Sequence, residues 1–256
     1  MRGAVGAATM RGVSVKLLAV PGSHACASVE AMLRAKRVPY ARVDLFPGLS
    51  RGWLRLTGFE GATVPALRND GVRVQGSRAI ARALDASWPE PRLFPAEPSA
   101  RRRVEEIEAW ADGPLQVTAR RIILWSMLRS RDAVRAALEG ARLQFRFPVE
   151  PAALIAWPVV RLDAALNGVN TATARAALAS LPAMLDRTDD WIARGDLATA
   201  PPTAADYQVA GSVRLLLTVA DLTELFGHRP VAELARRLIP DLPGHVPSGV
   251  LPATWR

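Results

Sequence analysis

The single cysteine of the chain, Cys26, lies three residues after Ser23, where a short β-rich run ends at Pro21-Gly22 and a helical pattern begins. Three residues is about one helical turn. A thiol in the first turn of a helix sits in the field of free backbone N–H groups, which favours its thiolate and permits exchange with a small disulfide. The same position permits a plainer role, because an isolated cysteine on a helix packs as a small hydrophobe. Ser23 has the side chain of an N-cap, whose oxygen accepts from a first-turn amide. A second helix start falls at Ser77, after Gln75-Gly76. Its unpaired amides and its dipole make it a place for an anion. One cysteine excludes an intramolecular disulfide and a cysteine-based metal site. His24, His228 and His245 are too scattered for a metal cluster, so no metal is expected.

The elements that must position these residues can be read from the pattern. Val13 to Val20 is a β-rich run, Ala25–Lys36 carries Val29, Met32 and Leu33 at helical spacing, and Tyr40–Leu45 alternates as a second strand. Strand, helix, strand predicts a βαβ unit with parallel strands. Residues 47–63 read as irregular. Val64-Pro65-Ala66-Leu67 and Val72-Arg73-Val74-Gln75, joined by Asn69-Asp70-Gly71, predict a hairpin. Ser77 then opens a helix through Trp88. Four prolines between residues 89 and 98 predict a stiff linker.

No strand is expected after Ser99. Helical patterns run from Val104 through Leu128, over Asp132–Phe145, over Ala152–Leu166 with a kink at Pro158, over Thr171–Arg194, over Thr203–Leu217 and over Val231–Leu238. The expected organisation is a flexible leader over 1–12, an α/β domain over 13–88, a linker over 89–98, an all-helical domain over 99–240 and an extended surface tail over 241–256.

Composition narrows the partners. Half of the 256 residues are hydrophobic and 22% are charged, which is globular composition. The formal net charge is +9, almost all from arginine, Lys16 and Lys36 being the only lysines. The densest basic run, Arg101-Arg102-Arg103, leads directly into Glu105, Glu106 and Glu108, so it reads as a solvated helix face and no nucleic-acid partner is expected. No apolar run approaches membrane-spanning length and no secretory signal is evident, so no membrane partner and a cytoplasmic location are expected.

The order Val64-Pro65-Ala66-Leu67, Asp70-Gly71, Gln75-Gly76-Ser77-Arg78-Ala79-Ile80, with Pro202-Thr203-Ala204-Ala205-Asp206-Tyr207 and Trp191-Ile192-Ala193 downstream, resembles glutathione S-transferases over roughly Val13 to Leu238. The resemblance implies a thioredoxin-like α/β N-terminal domain followed by an all-α domain, and a homodimer. It implies a cis bond at Val64-Pro65, with the Val64 backbone pairing with the cysteinyl part of glutathione or another low-molecular-weight thiol. Gln75, Gly76 and Ser77 then match the γ-glutamyl site. Ser23 matches the position whose hydroxyl donates to the thiolate, and Cys26 the thioltransferase alternative. The electrophile would sit near Trp110, Arg121 and Trp125. His24, where many relatives have proline, is expected to be an exposed bystander. Two places depart from the family pattern. Gly76 stands where it usually has Glu or Gln, and Ser28 where a basic residue commonly precedes Val29. The function expected is activation of a thiolate for attack on an electrophile. Thiol–disulfide exchange through Cys26 and a non-catalytic binding role are the alternatives.

Overall fold

The computed structural model describes residues 14–46, 49–139 and 149–255, as backbone alone over 149–155. The expected leader, Val13 and the last part, 140–145, of the helix expected over Asp132–Phe145 lie outside the described residues.

The first domain is built as the pattern predicts. Strand β1 (Val15–Ala19) leads to helix α1 (His24–Ala35) and strand β2 (Tyr40–Asp44); then come helix α2 (Ser50–Leu56), strands β3 (Ala66–Asn69) and β4 (Val72–Gln75), and helix α3 (Ser77–Ser87). The sheet order is β2-β1-β3-β4, with β1 parallel to β2 and antiparallel to β3. The short α2 falls within residues expected to be irregular. It has no side-chain cap and buries only Leu54, so no amphipathic repeat announces it.

The remainder is helical. Helix α4 (Pro98–Trp110) passes through a π-helical turn (Ala111–Leu115) into α5 (Gln116–Arg129), followed by α6 (Arg131–Leu138), α7 (Val149–Leu166), α8 (Thr171–Ala193), α9 (Ala204–Leu216), α10 (Thr223–Phe226) and α11 (Pro230–Leu238). Pro158 sits inside α7 without ending it. The π turn contains Gly113 and Pro114. Proline cannot donate to the helical ladder, and a widened turn accommodates the lost bond.

Polar side chains clasp the two domains together. Arg78 and Arg82 of α3 converge on Glu108 of α4, which is 1% exposed. The Lys36 ammonium donates to Asp85 at 2.9 Å and to the carbonyls of Trp88 and Pro91, fixing the start of the linker. Helix α1 lies so close to α9 that a Cβ on Gly211 would fall 2.1 Å from Ser28 Oγ and 3.0 Å from the His24 carbonyl oxygen. Ser28 Oγ donates to the Tyr207 carbonyl at 2.8 Å. A long basic side chain has no room at position 28, which is the packing reason for that departure from the family pattern.

The C-terminal tail, expected to lie extended on the surface, is partly buried. Leu242, Val246 and Leu251 are buried in the main core, Val246 bridges Val219, and the Trp255 ring lies 4.7 Å from that of Trp125. Asp221 accepts from the Gly249 and Leu251 amides and holds the tail down. Its three prolines keep it out of an α-helix, but its spaced aliphatic residues bury apolar surface all the same.

Candidate functional site

Strand register brings three helix-and-loop starts to one end of the sheet. Leu18 pairs with Ala66 and Ala66 with Gln75. One residue further, Ala19 faces Pro65 and Pro65 faces Gly76; the Gly76 amide donates to the Pro65 carbonyl at 2.9 Å. Continuing that register by one more residue brings Val20, Val64 and Ser77 level, and Val20 and Val64 pack on the same hydrophobic cluster. The Ser23 amide donates to the Val20 carbonyl at 3.2 Å, so the turn into α1 closes over the same end. Ser23, the Val64-Pro65 backbone and the Gly76-Ser77 start of α3 therefore share one edge, and the Val64-Pro65 peptide is cis.

Ser23 is the N-cap of α1. Its Oγ accepts from the Cys26 amide at 3.4 Å. Accepting there leaves its own proton to donate elsewhere. Gly76, at φ +88°, caps α3 with no side chain, so the first-turn amides of α3 have no side-chain acceptor. Ser77 is buried at that start.

Gln75 has a different place from the one its motif suggests. Its Oε1 accepts from the Gly61 amide at 2.8 Å and its amide nitrogen donates to the Thr63 carbonyl. Both ends of the side chain are spent bracing the loop that leads into Val64. Gly61 is required for this, since a Cβ there would lie 2.4 Å from Gln75 Oε1.

Cys26 is 0% exposed, and burial pushes its thiol up to about 11, against the weaker opposing pull of Ser23. His24 is not a bystander. It is 7% exposed, and Nε2 lies 3.1 Å from Gln116 Oε1 of α5. Burial, with Arg120 nearby, lowers its pKa to about 4, so the ring is neutral at physiological pH. The fully polar side chain hid this role in the sequence, because its partner is 92 residues away.

Residues 17–92 match the family described as glutathione S-transferase, N-terminal domain. Among solved structures the whole chain is similar to a glutathione S-transferase from Rhodospirillum rubrum, with 20% identity, a TM-score of 0.61, and 92% of this chain and 97% of that one covered. It is similar to glutathione transferase F2 from Populus trichocarpa, with 17% identity, a TM-score of 0.60, and coverage of 89% and 93%. Residues 17–92 thus match that N-terminal domain, and the whole chain shares the fold of these structures. A beta-etherase, LigF, from Sphingobium is similar at 18% identity and a TM-score of 0.58, covering 89% and 90%. No curated protein matches the sequence.

Two of the residues expected near the electrophile, Trp110 and Trp125, pack on aromatic partners within the helical part of the chain. At about 100° per residue, Arg121 is about 140° and Trp125 about 180° round α5 from Gln116, whose side chain meets α1. Trp125 instead packs on Trp255 of the tail, with the Arg129 guanidinium 4.1 Å from its ring. Trp110 packs edge-on against Trp191 of α8 at 4.9 Å. Trp110 and Trp125 are thus engaged by α8 and the tail. The helical domain meets the Ser23 edge through other groups. Gln116 meets His24, Ala137 of α6 lies 3.4 Å from a Cβ built on Gly22, and Phe46 packs with Val134, Leu138 and Met127. Among the described residues no group of three or more metal-ligating side chains occurs, and no helix is long and apolar enough to cross a membrane.

Proposed function

We propose that this chain is a cytoplasmic transferase that binds a low-molecular-weight thiol, glutathione or a close relative, and lets its thiolate attack an electrophile. The supporting observation is the convergence of Ser23, Val64-Pro65 and Gly76-Ser77 on one edge. The Val64 backbone offers an N–H and a C=O to the cysteinyl peptide of the thiol. The open first turn of α3, with the Ser77 hydroxyl, receives the γ-glutamyl carboxylate. Gly76 contributes no side chain and Gln75 is engaged elsewhere, so recognition of that carboxylate rests on backbone amides and one hydroxyl.

An unperturbed thiol has a pKa of about 8.5, and lowering it to about 6.5 takes nearly 3 kcal/mol. A hydrogen bond donated by Ser23 Oγ to the sulfur, together with the α1 dipole, supplies most of that. The thiol proton leaves to solvent. The sulfur lone pair forms the new S–C bond, and the leaving group departs with its own electron pair. Exchange through Cys26 is the weaker reading, since a thiol at about 11 is roughly one part in 10⁴ ionised at pH 7.

Millimolar glutathione is expected to raise the melting temperature. Saturation at 100 times Kd adds about 2.7 kcal/mol, or roughly 5–10 °C for a chain of this size. A panel of small thiols with no shift up to 10 mM would remove the thiol-binding reading altogether.

The proposed assembly is a homodimer, N-terminal domain against helical domain. Leu49, Trp53 and Leu56 form an exposed apolar stripe along α2, and Leu162 and Leu166, 59% and 66% exposed, form another on α7. Apolar stripes of this kind mark interaction surfaces. Light scattering is expected to give twice the chain mass for the parent and the single mass for Trp53→Glu combined with Leu166→Glu. A monomeric parent at 50 µM would refute the assembly.

A further inference from the structure

The buried polar chain running from α9 to α1 has a definite proton arrangement. Asp112, in the π turn, accepts at Oδ1 from Gln116 Nε2 at 3.1 Å and from Gln208 Nε2 at 3.0 Å; its backbone carbonyl accepts from Gln116 Nε2 as well, at 3.1 Å. A carboxylate can only accept, so both glutamines must turn their NH₂ groups to it. Gln116 Oε1 then has one orientation left, toward His24 Nε2 at 3.1 Å. His24 must therefore donate from Nε2, and its ring is held in a single tautomer and a single pose.

This pose matters because His24 is the first residue of α1 and follows Ser23 directly. Its carbonyl lies 3.2 Å from Ser28 Oγ, sharing with the nearer Tyr207 carbonyl the one hydroxyl proton, and abuts Gly211, while its ring is pinned to the helical domain. Ring and carbonyl together fix the first turn of α1 relative to α5 and α9. Arg120 and Asp112 are the charged groups facing this pair from the helical domain. The neutral ring leaves the hydrogen bond unchanged across the working pH range.

We propose that Gln116 and His24 are positioning residues for Ser23, through which the helical domain sets where the Ser23 hydroxyl meets a bound thiolate. The π turn is the device that makes this possible, because it carries Asp112 to the point where one carboxylate orients both glutamines. The inference rests on the thiol-binding reading above.

The test is the ultraviolet thiolate absorbance of enzyme-bound glutathione, titrated against pH in the full-length protein. Gln116→Met and His24→Leu keep volume and remove the bond. Each is expected to raise the bound thiol's pKa by about one unit and to lower kcat at pH 6.5 about tenfold, with glutathione Kd within threefold of the parent. His24→Gln, which restores a donor near the Nε2 position, is expected to titrate within about 0.3 unit of the parent. Variants that titrate like the parent, or whose Kd weakens in step with kcat, would show that the pair serves stability alone. A parent protein that binds glutathione without lowering its thiol pKa would overturn the activation reading and this inference together, a result separable by the parent measurement.

Discussion

Ser23→Ala is expected to reduce glutathione conjugation of a generic aromatic electrophile by about 10²–10³-fold in kcat/KM, the loss typical of removing one aimed hydrogen-bond donor from a developing or stabilised anion. Loss of the N-cap alone destabilises by about 1 kcal/mol, so the protein remains folded and the two effects separate. Cys26→Ser is expected to retain conjugation within a few-fold, because Cys26 is fully buried and its thiol is pushed up to about 11. The assay therefore discriminates by pattern. Activity that survives Ser23→Ala and dies with Cys26→Ser would reverse the assignment in favour of disulfide exchange. The Ser23 oxygen already accepts from the Cys26 amide, which orients it without consuming its proton, and that economy of geometry underlies the expected size of the effect.

Asp206→Ala is expected to be the most destabilising substitution among those considered, by about 3–5 kcal/mol. Asp206 is 0% exposed at the start of α9. It accepts from the Thr203 amide at 2.7 Å, the Thr203 hydroxyl at 2.8 Å, the Ala198 amide at 2.6 Å and the Thr199 hydroxyl at 3.0 Å. Each buried donor left unpaired costs about 1–3 kcal/mol, and the hydroxyls can partly re-pair, so the two amides dominate. The helix start is also tied to the linker, the Ala204 amide donating to the Leu93 carbonyl. Asp206→Asn keeps the shape and one good acceptor, and about half the loss is expected. Urea denaturation measures both, and a loss under 1 kcal/mol for the alanine variant would mean that the box is replaced by solvent.

The fold was legible where period and punctuation agree. The Asn69-Asp70-Gly71 turn between alternating runs and the Thr203/Asp206 box each have one structural solution, and each is found. Contacts between distant segments were not legible. The stripe holding Arg121 and Trp125 groups residues on one side of a helix, but periodicity does not say which neighbour that side meets; the tail and α8 take it. Gln75 looked like a ligand contact because it adjoins Ser77, whereas a glycine 14 residues back offers it a closer partner. His24 could not be recognised because burial of a polar ring depends on a glutamine supplied by another domain. The tail misled for a similar reason. Proline density excludes a helix but says nothing of whether the intervening aliphatic residues are covered.

The clasp at the linker has a chemical consequence outside folding. Lys36 is the only lysine besides Lys16, and its side chain is 0% exposed, with its nitrogen shared among three oxygens. In the folded protein, acylating reagents find one side-chain amine on the surface, that of Lys16, the exposed residue of the interior strand β1. Arginines carry nearly all the remaining cationic charge and do not acylate. A probe, surface tether or crosslinker directed at amines would thus attach to the α/β domain at a single defined side chain, leaving the Ser23 and Ser77 edge at the other end of that strand uncovered.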